Sequence, residues 1–182
     1  MKCSMDGYKV IAISGIDGSF LDFSNTVEGG IAVEECLKIS YDRSLTFLQN
    51  IEVMRSIISK IDRKCCIIGW SIGAVAAAFL ADCKNVNTVV MINPFYKRSE
   101  VLKLRNIFCD EEVCIETTNE QPVNYVIIAG IQDDKIPYTE SLKVANHYNL
   151  RKENLYLIEN AKHSLDSFPS GLIQEIINIV IQ

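Results

Sequence analysis

Short apolar runs alternate along this chain with longer stretches in which apolar residues recur every three or four positions. Val10-Ile11-Ala12-Ile13 is unbroken by polar residues and too short for a helix, which predicts a strand buried on both faces. Ser14-Gly15 closes it, and polar, glycine-bearing sequence follows to Gly29-Gly30. Cys36 to Tyr41 predicts a second short strand. Leu45, Leu48, Ile51, Met54, Ile57/Ile58 and Ile61 then recur at helical spacing. Cys65 to Ile68 predicts a third strand that runs into a glycine-flanked serine, Ser71. Ala74 to Ala81 is alanine-rich and free of Gly and Pro, so it predicts a helix.

The pattern repeats in the second half. Thr88 to Ile92 predicts a fourth strand, stopped by Asn93-Pro94. Ser99 reads as the N-cap of a helix to about Phe108, with Glu100 in its first turn. Residues 109–123 are polar and irregular. Tyr125 to Ala129 predicts a fifth strand ended by Gly130, and Thr139 to about Tyr148 a helix. Leu155 to Ile158 predicts a sixth strand, and Leu172 to Ile181 a closing helix. Strands alternating with helices imply right-handed crossovers and a parallel sheet covered on both faces, a three-layer α/β/α sandwich. Sites in such sheets lie beyond the carboxyl ends of the strands.

Composition narrows the partners. The 182 residues suit one domain, 1–182. A net charge of −5 without a clustered basic stretch argues against nucleic acid and anionic membrane surfaces. The cysteines number seven and are irregularly spaced, and Cys65-Cys66 lies inside an apolar run. Adjacent strand residues point to opposite faces, so these two are expected to pack as small hydrophobes. With no CxxC pair and only two histidines, no metal site is expected. The cysteine pattern fits a reducing compartment. The N-terminal residues hold no apolar core of signal-peptide length before the first charges, and no apolar run reaches transmembrane length, so a cytoplasmic protein without membrane insertion is expected.

The chemistry-bearing residues collect just after the strands. Ser71 follows the third, Asp133 and Asp134 the fifth, His163 the sixth, and Gly15 to Ser19 the first. A serine hydroxyl is a weak nucleophile until a base accepts its proton. Histidine does so near neutral pH, and a carboxylate holds its tautomer. Gly69-Trp70-Ser71-Ile72-Gly73 has the small residues that a sharp strand-to-helix turn requires on either side of a nucleophile. The alternative is a tight structural turn with an inert serine, and for the aspartates a polar turn. His147 falls inside a predicted helix and reads as structural or surface.

With these residues the chain resembles the α/β-hydrolase superfamily along nearly its whole length. Gly69 to Gly73 resembles the nucleophile elbow, in the order serine, acid, histidine. Gly130-Ile131-Gln132-Asp133-Asp134-Lys135-Ile136-Pro137 resembles the family's G-x-x-D-x-x-V-P acid loop, and its spacing to Ile136-Pro137 favours Asp133 over Asp134. Asn160-Ala161-Lys162-His163-Ser164 resembles the G-x-x-H loop, with Asn160, which also tolerates positive φ, in place of glycine. Ser14-Gly15-Ile16-Asp17-Gly18-Ser19 resembles the HGxxG segment, with Ser14 where that pattern has histidine. The resemblance implies an oxyanion hole of the backbone amides of Ile16 and Ile72. For the glycine segment a plain loop is the alternative. Gly15, Trp70 and Tyr96 are candidates to line the substrate, with core packing the alternative for the two aromatics.

The first strand corresponds to the family's third. The expected core is therefore a six-stranded parallel sheet of order 2-1-3-4-5-6, without the antiparallel strands that usually precede it. A short cap-like insertion at about 96–123 implies an open site. The resemblance thus implies a serine hydrolase that cleaves a carboxylic ester or thioester on Ser71, with His163 and Asp133 and without a metal or organic cofactor. Its substrate would be a small-molecule or carrier-bound acyl ester. The elbow is also similar to that of carrier-protein methyl ester esterases of biotin synthesis. An acyltransferase with the same triad, or a non-catalytic binding protein on the same scaffold, are the alternatives.

Overall fold

The computed structural model of the chain describes residues 8–16, 36–101, 112–115 and 122–180. The apolar runs become β1 (Tyr8–Ile13), β2 (Cys36–Ile39), β3 (Lys64–Trp70), β4 (Val86–Ile92), β5 (Asn124–Gly130) and β6 (Leu155–Ile158). Every pairing between them is parallel, and the strand order is β2-β1-β3-β4-β5-β6. The parallel pairing is the one that the alternating pattern predicts, and the strand order is the one that the resemblance implies. The register aligns the carboxyl ends: Ile13 lies opposite Gly69, Trp70 opposite Ile92, Ile92 opposite Ile128, and Gly130 opposite Ile158. The loops after β1, β3, β4, β5 and β6 therefore leave the sheet at one edge.

The period-2 geometry of a strand divides the core in two. On one face Ile11, Ile13, Cys65, Ile67, Met91, Ile127 and Ala129 meet α1 (Phe47–Ile58), α2 (Ile72–Phe79) and α3 (Tyr138–His147). On the other, Val10, Ala12, Cys66, Ile68, Val90, Ile92, Val126 and Ile128 meet α4 (Leu172–Val180) and the loop residues Ala161, Leu165 and Phe168. Cys65 and Cys66 fall on opposite faces, each fully buried, as small hydrophobes would. In α2, Ala74 to Ala78 are wholly buried. Side chains this small let the helix lie close against the strands beneath it.

Two expectations are corrected. The apolar stripe of α1 is narrower than its sequence: Phe47, Ile51, Met54 and Ile58 are buried, whereas Leu48 and Ile57 face solvent. A capping box between Thr46 and Gln49 starts this helix. Ser99 does not cap a helix. It lies within a single 3-10 turn, Arg98–Glu100, whose N-cap is Lys97. Tertiary pairing overrides the local signal: Lys97 bridges Cys114 antiparallel, and the Arg98 amide donates to the Val113 carbonyl at 2.8 Å. The rest of that predicted helix, residues 102–108, lies outside the described residues, as does most of the irregular stretch 109–123. Among the described residues no helix is long and apolar enough to cross a membrane.

Burial pushes the Cys65 thiol up to about 11 and the Cys66 thiol further still. Both should stay protonated and unreactive in the native protein at about pH 8, since the thiolate is the reactive form. Iodoacetamide treatment followed by peptide mapping should leave both unmodified until the chain is unfolded in urea. Equal modification in the native and unfolded states would contradict the packing described.

Candidate active site

The turn between β3 and α2 is tight. Ser71 has φ 58° and ψ −123°, a combination that a side chain disfavours and that persists only where the surroundings impose it. Those surroundings are visible. The Ser71 amide donates to the Ile92 carbonyl at 2.9 Å, which ties the turn to the end of β4. The Ser71 carbonyl accepts from the Ala74 amide at 3.0 Å. From the end of β2, the Tyr41 hydroxyl donates to the Ile72 carbonyl at 3.0 Å. The two flanking glycines are required by close approach. A Cβ on Gly69 would stand 2.1 Å from the Gly73 carbonyl oxygen, and one on Gly73 would stand 2.4 Å from that of Ile13. Ile72 is the first residue of α2, so its amide has no acceptor within the helix.

The loop after β5 presents a carboxylate. Asp133 Oδ1 accepts from the amides of Lys135 (2.8 Å) and Ile136 (2.9 Å), which folds the chain around the side chain and fixes its direction. Asp133 Oδ2 lies 2.8 Å from His163 Nδ1. The Asp133 side chain is almost wholly buried, and that of His163 is 17% exposed. Asp134, its neighbour, is exposed. The geometry therefore brings Asp133, and not Asp134, to the histidine. The loop after β5 also lies against the loop after β6. Gln132 donates through its amide to the Ala161 carbonyl at 3.0 Å, and a Cβ on Gly130 would stand 2.4 Å from that oxygen.

Trp70 links the elbow to the histidine. Its ring centroid lies 5.3 Å from that of His163, and its Nε1 donates to the His163 carbonyl at 2.9 Å. The indole therefore braces the histidine loop and packs with the second core. Ser71 Oγ and the His163 ring are not hydrogen-bonded to each other. Such contacts often tighten only when substrate is bound. With Nδ1 engaged by the carboxylate, Nε2 is the ring nitrogen left to meet a hydroxyl.

Gly15 borders the same spot. A Cβ there would lie 3.3 Å from the Trp70 ring and 3.6 Å from Ser71 Cβ. Ser14 Oγ donates to the Gly15 carbonyl at 3.1 Å, and Arg43 donates to that of Ile16 at 3.0 Å, so both peptides of this loop are held. Asp17, Gly18 and Ser19 lie outside the described residues. Tyr96 belongs to the base of the 96–123 segment. Its amide donates to Glu140 Oε2 at 3.1 Å, its carbonyl accepts from Ile115, and its ring packs beside His147. Among the described residues no group of side chains is placed to hold a metal ion.

Sequence reasoning passed over Asn93, which it took only as a strand stop. This buried asparagine has φ 48°. Its Nδ2 donates to the carbonyls of Lys162 (3.2 Å) and His163 (3.1 Å), and its Oδ1 accepts from the Gly130 amide at 2.9 Å. The available signal was an asparagine at a strand's carboxyl end, a residue type that tolerates positive φ.

A six-stranded parallel sheet in this order, with a strained serine turn after β3, is the fold of the α/β hydrolases. Comparison with solved structures agrees. A YdeN-like hydrolase from Pectobacterium atrosepticum superposes with a TM-score of 0.68 at 14% identity, covering 95% of this chain and 89% of that one. A structure from a study of carboxylesterases of Nitrososphaera gargenis gives a TM-score of 0.67 at 13% identity, over 97% and 91%. Mouse alpha/beta hydrolase domain-containing protein 10 gives 0.64 at 14% identity, over 94% and 87%. No protein-family model matches the sequence, and no curated protein matches it.

The elbow makes a sharp steric demand. Gly73→Ala should lower stability by about 1–3 kcal/mol or more, because the new methyl meets two strand-end carbonyls rather than a movable side chain. Urea denaturation followed by circular dichroism would measure it, and an unchanged midpoint would contradict the close approach.

Proposed function

We propose that the chain is a serine hydrolase that cleaves a carboxylic ester or thioester through an acyl-enzyme on Ser71. The observation that carries this reading is the Asp133–His163 hydrogen bond, 2.8 Å, beside the strained turn that presents Ser71. In the reaction Ser71 Oγ bonds to the acyl carbon as His163 Nε2 takes its proton. The tetrahedral intermediate collapses, the bond from acyl carbon to leaving oxygen or sulfur breaks, and His163 returns the proton to the leaving group. Water then gives a proton to His163 and bonds to the acyl carbon, the bond from acyl carbon to Ser71 Oγ breaks, and His163 returns the proton to Oγ as the acid leaves. Asp133 holds the Nδ1–H tautomer and stabilises the imidazolium.

The developing oxyanion would be bound by the amides of Ile72, an unpaired donor at the start of α2, and of Ile16, whose peptide follows Gly15 beside Ser71. Gly15 and the adjacent Trp70 would border the acyl group, while Tyr96 would reach it only from the base of the cap-like segment. The substrate in this reading is a small or carrier-bound acyl ester.

A fluorophosphonate probe should label the native protein and fail to label Ser71→Ala. Equal labelling of the two would remove the reading. With a p-nitrophenyl ester as substrate, Asp133→Asn should lower kcat by about 10³–10⁴-fold, the effect of holding the wrong imidazole tautomer. Asp134→Asn should change it little. The reverse order would move the acid to Asp134.

A further inference from the structure

Asn93 is polar, buried and far in sequence from everything it bonds. It leaves β4 in a left-handed conformation, and its amide donates to the Ile128 carbonyl at 2.9 Å, which extends the β4–β5 pairing by one step. A strand end needs no more than that. The side chain does something further: Oδ1 takes the Gly130 amide at the start of the acid loop, while Nδ2 gives to the carbonyls of Lys162 and His163 in the histidine loop. The His163 carbonyl thus receives two donors, Asn93 Nδ2 at 3.1 Å and Trp70 Nε1 at 2.9 Å.

We infer that Asn93 is a positioning residue for the reaction proposed above: it clamps the backbone of His163 to the start of the Asp133 loop, so that imidazole and carboxylate move as one unit against the elbow. The physical reason lies in rigidity. A histidine ring turns about the backbone that carries it, and the carboxylate constrains only Nδ1. Two hydrogen bonds from different strands to the His163 carbonyl fix the peptide plane, and with it the direction of Nε2. A misplacement of about 1 Å can cost on the order of 10²-fold in rate. The inference rests on the serine-hydrolase reading for its kinetic consequence, but not for its structural one.

Two variants keep the left-handed backbone, which Asp and Gly both tolerate. Asn93→Asp keeps size and the acceptor for Gly130 but turns an oxygen on two carbonyl oxygens. Asn93→Gly removes the side chain. The readouts are kcat and KM for a p-nitrophenyl ester, and the Nδ1-proton resonance of His163 by NMR. That resonance can be assigned because the chain has only two histidines and His147→Gln removes the other. In folded variants kcat should fall by about 10–100-fold with KM nearly unchanged. The His163 Nδ1 proton should exchange faster with water, because Asp133 alone no longer holds the ring. A folded variant with unchanged kcat and an unchanged Nδ1 proton would overturn the inference. If the wild-type protein shows no Ser71-dependent labelling, the hydrolase reading fails, and the resonance alone still decides whether Asn93 holds the histidine.

Discussion

At Ser71 the chain passes from strand to helix in a conformation that a side chain ordinarily avoids, and it can do so only because three backbone segments crowd together there. Gly69 lies under the carbonyl of Gly73, and Gly73 lies under the carbonyls that end β1. Neither position has room for a methyl group. This crowding brings the serine, the end of β1 and the first amide of α2 within a few ångströms of one another. The Ser71 amide is fixed in turn to the end of β4. Strain of this kind costs about 1–3 kcal/mol and must be offset by packing elsewhere. Here that packing is the sheet itself, whose central strands are buried on both faces.

The second half of the site hangs from the same edge. Parallel pairing in register brings β5 and β6 to an end beside β4, and the loops that follow interlock through Gly130, Ala161 and Asn93. Asp133 has one carboxylate oxygen occupied by the amides of its own loop and the other turned to His163. Trp70, next to the serine in the chain and packed beside the histidine ring, ties the two halves through one hydrogen bond and one ring contact. A rigid sheet, with the hydrogen bonds that Asn93 and Trp70 make to these loops, thereby positions side chains from three separate loops.

Much of this was legible in the residues. Apolar runs marked every strand but β2, because a sheet covered on both faces has no polar side to interrupt them; β2 lies at the sheet edge, where Lys38 is exposed. The glycine-flanked serine carried its own steric explanation. The order serine, aspartate, histidine at strand ends placed the candidate site on one edge. Other features depended on distances that a sequence does not contain. Ser99 had the composition of a helix cap, yet the pairing of Lys97 with Cys114 drew that segment into a short antiparallel contact. Leu48 and Ile57 matched the helical period, but the side of the helix turned to the sheet takes Phe47, Asn50, Ile51, Met54 and Ile58. For the acid, spacing to Ile136-Pro137 already favoured Asp133, and that is the carboxylate the loop curls around. Asn93 stayed hidden because its partners lie 37 and 70 residues further along the chain.

In the proposed reaction Ser71 and His163 act as one chemical unit. The most direct test is the kinetics of Ser71→Ala, His163→Ala and the double variant on one p-nitrophenyl ester, each checked for cooperative unfolding. Residues that share a single step are non-additive. The double variant should therefore lose no more activity than either single one, roughly 10⁴–10⁶-fold in kcat for a unit of this type. Losses that multiply, or a Ser71→Ala variant that keeps most of its activity, would contradict it.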